Sequence, residues 1–163
     1  MWRFLTKRQL LVRIDRTRIE AEIAEAERRS TGEIVVSIAP FFFGSVERLA
    51  RRAFERLGVA NTREGNGVLL FVVPSRRRLV VLADEGAHAR AGQEAWDRAA
   101  SAVSARFARG EFDQGLSEGV RLIGAALARH FPPDPEARGR DELPNTIDFG
   151  GRSTSGPRGG GSG

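Results

Sequence analysis

The 163-residue chain has no cysteine. That single absence excludes a disulfide framework, a thiolate zinc site and a cysteine nucleophile. No apolar run is long enough to span a bilayer, which takes about 18 residues or more. Neither G-x-x-x-x-G-K-[ST] nor G-x-G-x-x-G occurs, which argues against a nucleotide cofactor. The phosphatase pattern D-x-D-x-[TV] is missing as well, so any hydrolysis would need a metal and its bound water. The opening residues Met1 to Gln9 have no apolar core followed by a small-residue cleavage site, so they do not read as a signal peptide. The expected location is the cytoplasm.

Lysine is nearly absent: of 26 basic residues only Lys7 is a lysine. An arginine bias spread along the whole chain fits genome composition or a hot habitat better than one specialised binding face. The formal net charge is +5. The first 18 residues hold six basic groups and one acidic, and so carry the entire excess; the remaining 145 balance 20 against 20. A neutral body argues against nucleic acid as a partner. With 40% apolar and 29% charged residues, the composition is globular and the length suffices for one core.

The pattern of apolar residues then sets the order of elements. Thr6 to about Arg29 is helical, with Thr6 and Gln9 at capping-box spacing and Leu11, Ile14, Ile19, Ile23 and Ala26 on one face. Ser30-Thr31-Gly32 stops it. The β-branched run Glu33 to Ala39 is a first strand. Ser45 caps a second helix that ends at Gly58. Gly67 to Val73 is continuously apolar, as in a strand buried on both faces. A short turn at Pro74 to Arg77 joins it to a strand over Arg78 to Ala83, so this pair is an antiparallel hairpin. Helices over about 92–108 and 112–131 follow, and Pro132-Pro133 ends the second. The helix between the first two strands is a crossover, so those strands are parallel. The fold class is α/β: an α/β/α sandwich with a small mixed sheet. The expected organisation is a domain over 1–131, a proline-containing extension over 132–149 that docks on it, and a glycine-rich disordered tail over 150–163.

Topology gathers polar residues at two sheet edges. The starts of strands one and two and the end of strand three share one edge, which brings together Glu33, Asn66, Asp84 and Glu85. Their oxygens suit a hard divalent cation, Ca²⁺ or Mg²⁺. Each also has an ordinary structural reading: a solvated turn residue, an Asx-turn, a helix cap. The opposite edge holds the Pro40–Gly44 loop, Ser45 at a helix start, and Arg76, Arg77 and Arg78, which together could hold an anion. The plainer reading is that such arginines are solvated and discourage edge pairing. His88 lies in the loop after Asp84, and His130 sits near a helix C-terminus, a favourable place for a cation. At the N-terminus, Trp2, Phe4 and Leu5 interleave with Arg3, Lys7 and Arg8. They read as a helix start whose apolar members dock on the body, with contact to anionic lipid or nucleic acid as the alternative.

Several segments in order resemble the TPM domain family: Thr31-Gly32-Glu33-Ile34, the strand entry Arg63 to Phe71, the hairpin from Arg77 to Gly86, the helix junction from Phe107 to Gly115, and Glu142-Leu143-Pro144-Asn145. The founding branches of that family are a thylakoid-lumen acid phosphatase-like protein, a photosystem II repair protein and a nematode acetylcholine-receptor modulator. The resemblance implies an α/β/α sandwich with a small mixed sheet, divalent-cation binding and a phosphatase activity. Asp84 and Gly86 match the family's strand-exit motif, and Glu33 and Asn66 match its strand starts. Many relatives carry a signal peptide and a membrane helix; this chain shows neither and looks like the short soluble bacterial branch. The expected role is a divalent-cation-binding interaction or assembly module with a protein partner still to be identified. The alternative is a metal-dependent phosphomonoester hydrolase. No nucleophile with its base is identifiable from sequence.

Overall fold

The computed structural model describes residues 6–137 and 145–150. The first helical stretch is two helices, α1 (Lys7–Leu11) and α2 (Arg16–Arg28). Thr6 Oγ1 accepts from the Gln9 N–H at 3.2 Å, and Gln9 Oε1 accepts from the Thr6 N–H at 2.9 Å. This is the expected capping box. The single helix expected over 6–29 is instead broken before Arg16, where Asp15 accepts from the Arg18 N–H at 3.1 Å and starts a new helix. Leu10, Ile14 and Ile19 are buried on both sides of the break, so the apolar spacing continues although the backbone helix does not.

Three strands follow the expected order: β1 (Glu33–Ile38), β2 (Gly67–Val73) and β3 (Arg78–Ala83). They lie side by side as β1-β2-β3, the first pair parallel and the second antiparallel. Helix α3 (Val46–Arg56) makes the crossover, and Ser45 caps it by accepting from the Arg48 N–H at 3.3 Å. The hairpin turn is a 3₁₀ turn over Pro74–Arg76 that leaves Arg77 left-handed, at φ 52°. Helices α4 (Glu85–Ala91), α5 (Gln93–Ala108) and α6 (Phe112–His130) complete the body. Residues 85–91, expected as loop, are therefore helical.

β2 explains the sandwich. Its Val68, Leu70 and Val72 pack into the core shared with Ile19 and Ile23 of α2, Val103 and Phe107 of α5, and Leu116 and Ile123 of α6. Its Leu69, Phe71 and Val73 pack the other way, against Val46, Ala50 and Ala53 of α3. A strand buried on both faces needs no polar alternation, and the sequence shows none. One outer edge of the sheet is also covered. Residues 145–150 return to β1, where the Ile38 N–H donates to the Asp148 carbonyl at 2.8 Å and the Asp148 N–H to that of Val36 at 2.9 Å. Ile147 is buried there. Trp2, Phe4 and Leu5, and the tail after Gly150, lie outside the described residues. Among the described residues, no helix is long and apolar enough to cross a membrane.

Candidate functional site

The sheet register places the strand-start residues on one row. Glu33 pairs with Gly67, and the Asp84 N–H donates to the Gly67 carbonyl at 2.8 Å. Glu33 and Asp84 thus flank Gly67, about 10 Å apart across the sheet at two strand spacings. The middle of the row is filled. A Cβ on Gly67 would overlap the Val59 carbonyl oxygen, so the chain after α3 lies directly over this glycine. Glu33 is buried, whereas Asp84 is half-buried and Glu85 exposed.

Above this row, two loops close on one another. The Ala87 N–H donates to the Gly65 carbonyl at 2.9 Å. A Cβ on Gly86 would overlap the Glu64 carbonyl oxygen and stand 2.8 Å from that of Gly65. Only a glycine permits this backbone-to-backbone approach. Asp84 starts α4 with its Oδ1 accepting from the Glu85 N–H at 2.9 Å. Its Oδ2 lies on the Gly65 side, 3.6 Å from where a Gly65 Cβ would be. Asn66, which is buried, takes its N–H to Thr62 Oγ1 at 3.0 Å. Its Nδ2 donates to Thr31 Oγ1 at 3.0 Å and to Glu64 Oε2 at 3.1 Å. The Thr31 hydroxyl donates to that same Glu64 oxygen.

Of the four residues singled out from sequence, Asp84 and Glu85 lie together at the α4 start, facing the loop that ends in Asn66. Glu33 sits lower in the sheet row. Glu64 belongs to the same rim and was missed, because nothing near it in sequence distinguishes it from the other polar residues of a turn. Its partner Thr31 is 33 positions earlier. Among the described residues, no three carboxylate or imidazole side chains are gathered so as to hold a metal. A cation here would therefore need amide, backbone-carbonyl and water oxygens beside the carboxylates. That donor set is usual for Ca²⁺ and unsuited to zinc.

The opposite edge is arranged differently. Ser45 Oγ is taken up as the α3 cap and also donates to Glu47 at 3.2 Å. Arg78 is ion-paired with Glu47, and its hydrogen bond is the main cause holding the Glu47 carboxyl below its ordinary value. Arg76 donates to the Phe42 carbonyl at 3.2 Å. Arg77 is exposed.

Elsewhere, Asp148 is held by bonds from three residues. It accepts from Ser37 Oγ at 2.8 Å, from Arg56 at 2.9 and 3.3 Å, and from the Gly150 N–H at 3.2 Å. Burial pushes its pKa up, but the bonds from Arg56 and Ser37, the Arg56 charge and the Gly150 N–H outweigh burial and hold it below its ordinary value. His88 lies exposed on α4, and the His130 carbonyl accepts from Arg90 at 3.2 Å. Gly115-Leu116-Ser117-Glu118-Gly119 spells G-x-S-x-G, but it lies inside α6 and follows no strand, so Ser117 is not on a nucleophile elbow.

A family model described as the TPM domain matches residues 6–126. The fold is similar to the NMR structure of BA42 protein from the psychrophilic bacterium Bizionia argentinensis. The TM-score is 0.76 at 34% identity, covering 83% of this chain and 92% of that one. It is also similar to the N-terminal domain of a P. gingivalis protein solved by NMR, with a TM-score of 0.58 and 21% identity over 81% of this chain and 99% of that one. At that identity the likeness concerns fold alone. No curated protein matches the chain in sequence.

Proposed function

Because this chain belongs to the TPM domain family, we propose that it works as a divalent-cation-binding interaction or assembly module, with the cation at the rim formed by Glu64, Asn66, Asp84 and Glu85. The observation that carries the reading is the backbone-tight closure of the Glu64–Asn66 loop on the Asp84–Ala87 segment, joined at Ala87 and Gly65 and possible only because Gly86 has no side chain. Thr31 and Asn66 orient the Glu64 carboxylate. Glu33, buried at the start of β1, lies in the sheet row below this rim. A cation at this rim would take the Glu64 or Asp84 carboxylate together with amide, backbone-carbonyl and water oxygens. It would also tie the loop before β2 to the start of α4, and so fix the surface that a protein partner meets. Calorimetric titration with CaCl₂ and with MgCl₂ tests this. Asp84→Asn or Glu64→Gln should weaken binding about tenfold or more, the usual effect of losing a ligand or its support. Equal affinity in wild type and both variants would overturn the reading.

One observation favours a second reading, metal-dependent hydrolysis of phosphomonoesters. The Thr31 hydroxyl is hydrogen-bonded to the Glu64 carboxylate, a pairing of nucleophile and base in kind. Turnover of p-nitrophenyl phosphate that needs the cation and falls in Thr31→Val would select it. Background rates with and without metal, in wild type as in Asp84→Ala, would remove it.

A further inference from the structure

At the other end of the sheet, the loop leaving β1 places its aromatic residues outward. Phe41 and Phe43 are 67% and 88% exposed. Their rings pack edge-on against each other, with centroids 5.0 Å apart, rather than into the core. Phe42 between them turns inward and packs against the α3-side core. Arg76 anchors the base of the loop, stacked over the Phe42 ring at 5.2 Å and bonded to its carbonyl. Arg48 and Arg77, from the α3 start and the hairpin turn at this same end, are exposed. Glu47 is matched by Arg78.

This end thus carries an apolar tip, Phe41 and Phe43, with exposed arginines on the neighbouring turn and helix start, in a chain whose residues after 18 carry no net charge. Two solvent-facing phenylalanines are costly to keep in water, and a neighbouring core does not cover them. Arginines around such a tip are complementary to phosphate, and the combination suits the boundary between lipid headgroups and acyl chains. We propose that the Phe41–Phe43 loop, with Arg48, Arg76 and Arg77, docks this domain on an anionic lipid bilayer. The edge-on packing of the two rings offers no pair of parallel faces for successive nucleic-acid bases. The cation rim lies about 20 Å away, the length of the seven-residue β2, and would face away from the bilayer, free to meet cation and partner.

The test is sedimentation of the full chain with vesicles of phosphatidylcholine alone and of phosphatidylcholine mixed with phosphatidylglycerol. Binding should be confined to the mixed vesicles and weaken with salt. Phe41→Ser with Phe43→Ser should lower the partition about tenfold or more, because the apolar area is lost. Both residues are exposed, so cooperative unfolding should stay unchanged and certify the fold. Deleting residues 1–5 should leave the binding in place. No binding to the mixed vesicles overturns the proposal, as does a double variant that binds like wild type or a loss of binding on deletion of 1–5. Phenylalanine-dependent self-association without vesicle binding also overturns it and makes the loop a contact between copies. Binding of inorganic phosphate alone, indifferent to both phenylalanines, overturns it in favour of a simple anion site.

Discussion

Gly86→Ala offers a test whose sign separates two accounts. Gly86 lies in the first turn of α4, where alanine should stabilise an ordinary helix by about 1 kcal/mol. The contact made by this turn predicts the opposite. The new Cβ would overlap the Glu64 carbonyl oxygen and crowd that of Gly65. Both obstacles are backbone atoms, so no rotamer change relieves them. Forcing a methyl group into a filled site costs roughly 1–3 kcal/mol. Pushing the loop away would also lose the Ala87-to-Gly65 hydrogen bond, about 1 kcal/mol. Set against the helix gain, the net is a destabilisation of about 1–3 kcal/mol, or a fall in Tm of roughly 3–10 °C for a domain of this size. Urea and thermal unfolding measure it. Amide spectra should show the disturbance concentrated at residues 64–66 and 84–87. A variant as stable as wild type or more so would refute the tight closure, and with it the geometry of the rim.

Other consequences concern the returning segment and the core. Asp148→Asn should cost about 1–2 kcal/mol at neutral pH, since the Arg56 end of the pair is half-exposed while the Ser37 end is buried. Because the folded carboxyl lies below its unfolded value, the contribution of Asp148 is complete above an ordinary pKa of about 4. It is lost as pH falls through the lower folded value. Unfolding curves for wild type and Asp148→Asn should therefore converge in acid, and a gap independent of pH would contradict the assignment. Leu70→Ala, at a fully buried position on the helix-rich face of β2, should cost about 2–5 kcal/mol in urea unfolding.

Where the fold depends on local pattern, it could be read directly from the residues. The unbroken Gly67–Val73 run is a strand covered on both faces, and the short link to Arg78 fixes the hairpin. The crossover then makes β1 and β2 parallel, which puts Glu33, Asn66 and Asp84 at one end of the sheet. What escaped depends on distant contacts. Ile14 keeps helical spacing with Leu10 although α1 has ended and Asp15 caps α2 as a separate helix. Helix α4 has one buried side chain, Ala87, too little for an apolar period, and it is set by the Asp84 cap and the Gly65 carbonyl instead. Glu64 gains its place through Thr31, 33 residues away, and Asp148 through Ser37 and Arg56, at separations of 111 and 92 residues. No sequence window contains such pairs.

A cation held where the Glu64–Asn66 loop closes on the start of α4 should be visible residue by residue. The decisive measurement is a Ca²⁺ titration of the ¹⁵N-labelled full chain, following every resolved amide. Saturable shifts are expected at Thr31, at residues 64–66 and at residues 84–87, reduced in Asp84→Asn. Shifts confined to other acidic residues, or an unchanged rim at saturating Ca²⁺, would contradict it.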